Sequence, residues 1–214
     1  HAKRGGFLPP VPLPRRMWAA GELTLHEPLR LGHVARKTST VRSVELKQGK
    51  AGVLVFVTVA HELEQGGQPR ISELQHIVYR EAPTAPAPLP PGEPAPTGAD
   101  WSRALSPDPV MLFRFSALTY NGHRIHYDRD YATREEFYPA LVVHGPLLAT
   151  LLLDLLAREG HAAAAPAHFR FRAQRPAFDT EPLMLMGRQE AEDTALWTSD
   201  AAGMVGMTAF ARYR

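Results

Sequence analysis

LVVHGPLLATLLLDLL, Leu141 to Leu156, is the stretch on which the fold turns. Leu147, Leu148, Leu151, Leu152 and Leu155 recur at the three-and-four spacing of one helix face. The spacing predicts a helix over 145–159, with Gly160 as its stop. Apolar residues cover much of its circumference, so the helix is expected to be buried on most sides. His144, Gly145, Pro146 and Asp154 interrupt the run, which is shorter than the ~20 apolar residues a bilayer requires. A core helix follows, and no membrane contact is expected.

Around this helix the pattern is β. Three or four strands are expected after it, at 167–174, 183–190, 195–199 and 204–212. Before it, Val110–Phe115 reads as a short apolar strand, followed by a polar loop in which Asp128 caps a short helix containing Tyr131 and Ala132. In the N-terminal part, a strand is expected near Met17 and others at Val34–Leu46, Gly52–Leu63 and Arg70–Arg80. Turns are expected at Gly49–Gly52 and Glu64–Pro69. One buried helix with an antiparallel sheet wrapped round it is an α+β, hot-dog arrangement. The first half shows strands but no matching helix, and the chain opens at His1 in what reads as mid-loop. That helix is expected upstream of His1, or lost.

EAPTAPAPLPPGEPAPTGAD, Glu81 to Asp100, has seven prolines in twenty residues and reads as a semi-rigid linker. The expected division is therefore an N-terminal half at 1–80, the linker at 81–100 and a C-terminal catalytic half at 101–214.

Composition narrows the function classes. Lys and Arg total 24 against 22 Asp and Glu, without a basic run, so nucleic acid is not an expected partner. The absence of cysteine removes thiol catalysis, disulfides and Cys-based zinc sites, and fits a cytoplasmic location. Strand alternation sends His61 and Glu62 to opposite faces, and with Glu64 they do not assemble a ligand set, so no metal is expected. Gly52 and Gly66–Gly67 lack the spacing of a dinucleotide or phosphate loop.

FRFSALTYNGHRIHYDRDYA, Phe113 to Ala132, places Asn121, His123 and His126 in one short loop, about ten residues before the His144–Gly145 pair that opens the helix. Together the two stretches supply proton-transfer groups and a row of backbone N–H donors. They resemble the MaoC-like, type 2 hydroxyacyl-thioester dehydratase family, in the branch containing mesaconyl-C4-CoA and itaconyl-CoA hydratases. RGGFLPPVPLPRRMWAAG, Arg4 to Gly21, and ISELQHIVYRE, Ile71 to Glu81, carry the same resemblance. It implies a double hot-dog that pairs into a homodimer or higher homo-oligomer. It also implies reversible addition of water to an α,β-unsaturated acyl thioester, with CoA present as part of the substrate and no separate cofactor. The wider family has an Asp-x-Asn-Pro-x-His signature. Asn121 stands at its Asp, His123 at its Asn and His126 at its His, so the carboxylate is missing here.

A histidine suits proton transfer in both directions because its unperturbed pKa, about 6.5, lies near working pH. His126 is the first candidate for that role. Asn121 is a candidate to hold the water or β-hydroxyl, and His123 to share proton transfer or orient the loop. The Gly145 N–H, at a helix start, is the candidate donor to the thioester oxygen. His144 is expected to be structural. Arg124, Arg16 and Trp18 are candidates for contacting CoA or a substrate carboxylate. Hydration of a short, dicarboxylic acyl-CoA is the favoured reading. A hot-dog thioesterase and a non-catalytic acyl-CoA-binding protein are the alternatives.

Overall fold

The computed structural model describes residues 6–49, 52–89, 91–159, 165–191 and 193–214. Lys50 and Ala51, within the expected Gly49–Gly52 turn, and Gly160, the expected helix stop, lie outside the described residues. The chain forms two compact units, one from Ala2–Ala82, Ala163–Arg172 and Phe210–Arg214, the other mainly from Pro83–Ala162 and Ala173–Ala209. The first unit thus draws on late segments as well as on the N-terminal part of the chain. The reason is strand pairing: late segments return to complete the first unit's sheet.

In the first unit, β1 (Arg15–Leu25), β2 (Arg36–Gly49), β3 (Gly52–Gln65), β4 (Gln68–Arg80) and β6 (His168–Ala173) run in the order β2-β3-β4-β1-β6. The ladders are antiparallel, with Val57 opposite Ile77 and Leu23 opposite Phe169. Alternation along β3 turns Val55, Val57 and Val59 inward with Ile77 and Tyr79 of β4. This unit contains no helix among the described residues. Val11 and Leu13, each 6% exposed, pack there instead, from the proline-rich entry segment.

In the second unit the strand order is β9-β8-β7-β5, with β5 at Trp101–Leu105, β7 at Leu183–Glu190, β8 at Asp193–Ser199 and β9 at Val205–Arg212. The 15-residue helix α2 (Gly145–Glu159) lies against β5, β7 and β8. It buries Leu147, Leu148, Ala149, Leu152, Leu155 and Leu156. Each fully buried leucine contributes roughly 1.5–3 kcal/mol through apolar area removed from water. This is the helix and sheet of a hot-dog unit. Gly187 of β7 is required where it stands: a Cβ there would lie 2.8 Å from the Trp101 ring and 2.9 Å from Leu196.

One expectation is corrected. Val110–Phe115 is not a strand but part of the ten-residue helix α1 (Pro109–Leu118). Asp108 caps it, its Oδ1 accepting from the Val110 and Met111 amides at 2.7 and 2.9 Å, and Pro109 fits the first turn. Leu112 and Ser116, four apart, then turn inward together. The strand before the polar loop is β5, immediately after the proline-rich segment. That segment is itself tied down: the Val205 amide donates to Glu93 O and the Ala95 amide to Gly203 O, both at 2.9 Å. No helix among the described residues is long and apolar enough to cross a membrane.

Candidate active site

The second unit gathers Asn121, His123, His126 and Gly145. α1 ends at Leu118, and Tyr120 takes a left-handed φ of 51°, which reverses the chain. The Asn121 amide donates back to Ser116 O at 2.9 Å, while the Asn121 side-chain oxygen accepts from the His123 amide at 3.1 Å. This local turn is characteristic of asparagine. It leads into a single 3₁₀ turn, Arg124–His126, that sends Ile125 and His126 inward. Asp128 Oδ1 then accepts from the amide of Tyr131, the first residue of the short helical turn Tyr131–Glu135, at 3.1 Å; the position preceding that turn is Asp130, whose side chain makes no capping bond.

His126 is 7% exposed. Its Nδ1 donates to the Val142 carbonyl oxygen at 2.7 Å. A carbonyl only accepts, so in the neutral ring Nδ1 carries the proton and Nε2 carries the lone pair. Burial pushes its pKa down to about 4, against a smaller upward effect of the Val142 bond. At neutral pH the ring is uncharged and able to accept a proton.

The segment bearing Val142 is held from several sides. The Val142 amide donates to Ile125 O at 3.0 Å, so the two segments exchange bonds on either side of His126. The Val143 amide donates to Ala177 O at 2.8 Å, and the Leu141 amide to Asp179 Oδ1 at 3.0 Å. The Asp179 side chain is 1% exposed and forms an ion pair with Arg129.

Three residues beyond Val142, α2 begins. The Leu148 amide donates to His144 O at 3.1 Å, which makes His144 the cap and Gly145 the first helical residue. The amides of Gly145 and Leu147 lie in the first turn, where no preceding carbonyl of the helix can reach them, and Pro146 has no N–H. With the helix dipole behind them, these donors suit an oxygen that gains negative charge.

His144 is fully buried, and its ring stacks on His126 with centroids 3.7 Å apart and planes 17° apart. Ser116 Oγ lies 2.8 Å from its Nε2. Burial, then the adjacent His126, lower its pKa to about 3. His123 meets His126 edge-on at 5.6 Å. Ser116 and the Val142 carbonyl were missed in the sequence. Reading α1 as a strand hid Ser116, while the role of a main-chain oxygen has no residue signature.

Arg124 bonds Asp128 Oδ2 through Nε and Nη2 at 2.9 and 2.7 Å, and its guanidinium lies 4.3 Å from the Tyr131 ring centroid. Arg16 and Trp18 belong to the first unit. Arg16 is exposed on β1, and Trp18 donates to Ala20 O at 2.8 Å with its ring 5.7 Å from Phe171. No cluster of three His, Asp or Glu able to hold a metal occurs among the described residues.

Residues 1–179 match the family described as hydroxyacyl-thioester dehydratase type 2. The chain is 49% identical over 210 residues to a mesaconyl-C(4)-CoA hydratase of Chloroflexus aurantiacus, covering 98% of this chain and 73% of that protein. It is 30% identical over 197 residues to the mitochondrial hydroxyacyl-thioester dehydratase type 2 of Schizosaccharomyces pombe, covering 82% of this chain and 65% of that one. A MaoC-like dehydratase structure from Phytophthora capsici superposes with a TM-score of 0.72, at 16% identity and over 93% of this chain and 69% of its own, a likeness of fold. The histidine loop and the capped helix start thus belong to a hydro-lyase, and the chain is a member of the type 2 hydroxyacyl-thioester dehydratase family.

Proposed function

We propose that this enzyme adds water reversibly across the double bond of a short, dicarboxylic acyl-CoA of the mesaconyl type, with His126 as proton carrier. The observation that carries the reading is the Nδ1 bond from His126 to the Val142 carbonyl, three residues before the donors of Gly145. It ties a neutral base and an anion-stabilising helix start to one short segment. The acyl group is supported by the 49% identity to the Chloroflexus hydratase.

In hydration, Nε2 of His126 takes a proton from water as the water oxygen bonds to the β-carbon. Electron density moves through the α-carbon onto the thioester oxygen, where the Gly145 N–H stabilises it. The same imidazole then gives its proton to the α-carbon. Dehydration reverses each step: Nε2 removes the α-proton and returns a proton to the departing hydroxyl. With the Asn121 oxygen engaged by His123, its NH₂ is the part that holds the water or hydroxyl, which makes it an orienting donor rather than a base. His123 meets the His126 ring nearly at right angles, with centroids 5.6 Å apart. The enzyme works as a homodimer or higher homo-oligomer, without metal or separate cofactor.

The test is incubation with crotonyl-, mesaconyl-C4- and itaconyl-CoA, followed by mass spectrometry. The expected product is an acyl-CoA heavier by one water, with mesaconyl-C4-CoA preferred. His126→Ala is expected to lower kcat by at least about a hundredfold, within the range for removing a general acid–base group. Free CoA as the product, or an active His126→Ala protein, would refute the reading.

A further inference from the structure

His144 has no part in the steps above, yet its environment is not that of an ordinary core side chain. It is 0% exposed, and its Nδ1 is buried without a hydrogen-bond partner among the described residues. A leucine or phenylalanine would fill such a place without leaving a polar atom unpaired. What an imidazole adds here is the contact of Nε2 with Ser116 Oγ at 2.8 Å. That bond fixes the rotation of the ring, and the edge contact of Phe115 at 4.9 Å supports it from α1. The ring so fixed lies flat against His126, 3.7 Å away and 17° from parallel.

His126 needs such a surface. The hydrogen bond of its ring to Val142 O sets where Nδ1 points but leaves the ring plane able to pivot about that bond. A flat neighbour removes the pivot and keeps water from one face. Among the described residues, the other titratable group in ring contact with the pair is His123, edge-on at 5.6 Å.

We propose that His144, locked by Ser116, is a positioning residue for the hydration reaction, fixing the plane of the His126 imidazole so that Nε2 is presented at one angle. This rests on His126 being the proton carrier. Ser116 acts only through His144, and His144 only through His126. Neither needs to touch substrate.

The experiment is a double-mutant cycle with Ser116→Ala, His144→Phe and the pair, plus His144→Ala, on the full chain. His144→Phe keeps a flat ring but loses the lock, so kcat is expected to fall about tenfold with KM within about twofold, the signature of lost orientation rather than lost binding. Ser116→Ala is expected to lower kcat about fivefold alone and to have no further effect in the His144→Phe background. Independent multiplication of the two effects, or a rise in KM at constant kcat, would overturn the proposal. Imidazole NMR gives a readout that does not require turnover. In His144→Ala, water reaches the exposed face, and the His126 midpoint is expected to rise from about 4 toward its ordinary value. An unmoved midpoint counts against the shielding role. If His126→Ala retains activity, the catalytic assignment fails, while the NMR titration still reports whether His144 governs that ring.

Discussion

Acidification should unfold this protein earlier than its carboxylates alone would require, and His126 makes the effect measurable. Its folded pKa, about 4, lies below the ordinary value of 6.5 because burial disfavours the charged ring. As pH falls, the unfolded chain takes up the proton first. The stability contributed by keeping His126 neutral is therefore complete above about pH 6.5, is lost between about 6.5 and 4, and stops changing once the folded ring also protonates. In that window the slope approaches 1.4 kcal/mol per pH unit. Between pH 7.5 and pH 5 this gives a loss of about 2 kcal/mol. His126→Phe keeps an aromatic ring of similar size but cannot titrate. It leaves the Val142 carbonyl unpaired, which costs about 1–3 kcal/mol at every pH. Urea unfolding followed by tryptophan fluorescence at pH 7.5 and 5.0 should show the wild type losing about 2 kcal/mol more than the variant over that interval. Equal losses in the two proteins would refute the claim that His126 is buried neutral.

Three further outcomes follow from the packing. Asp108→Ala removes the α1 cap, which holds two amides, and should cost about 1 kcal/mol, read as a lowered Tm. Leu152→Ala empties a side-chain site that is 0% exposed and should cost roughly 3–5 kcal/mol in chemical denaturation. Asp179→Asn weakens the pairing with Arg129 and the support of Leu141, so kcat should fall several-fold through displacement of the segment bearing Val142, with CoA-ester KM less affected.

α2 was legible because its leucines meet one sheet, so burial and periodicity agree. β7 was legible to the residue, at Leu183–Glu190. α1 was not legible as a helix, because VMLFRF is equally apolar in either conformation; the decision rests on Asp108 and Pro109, which lie outside the apolar run. β5 was hidden by length, five residues beside a proline-rich segment. In the candidate site, residue type and position were enough to single out the loop histidines, which the fold brings into contact, and the Gly145 helix start. The stack of His144 on His126 was not, since it joins two segments through the fold and depends on Ser116 of a third element. Similarly, the layer formed by Val55, Val57 and Val59 called for a cover, but nothing in an irregular stretch of prolines marked Val11 and Leu13 as supplying it.

The anchor of the His126 ring is a peptide oxygen, not a side chain. Any residue can provide it, provided the chain follows the same path. That bond thus asks nothing of the side chain at position 142, which is set by its buried packing, whereas it depends on the ion pair and amide contacts that steer the neighbouring backbone. Exchange of that valine for an apolar residue of similar volume therefore spares the anchor, while a change at Asp179, remote in sequence, reaches it through the backbone.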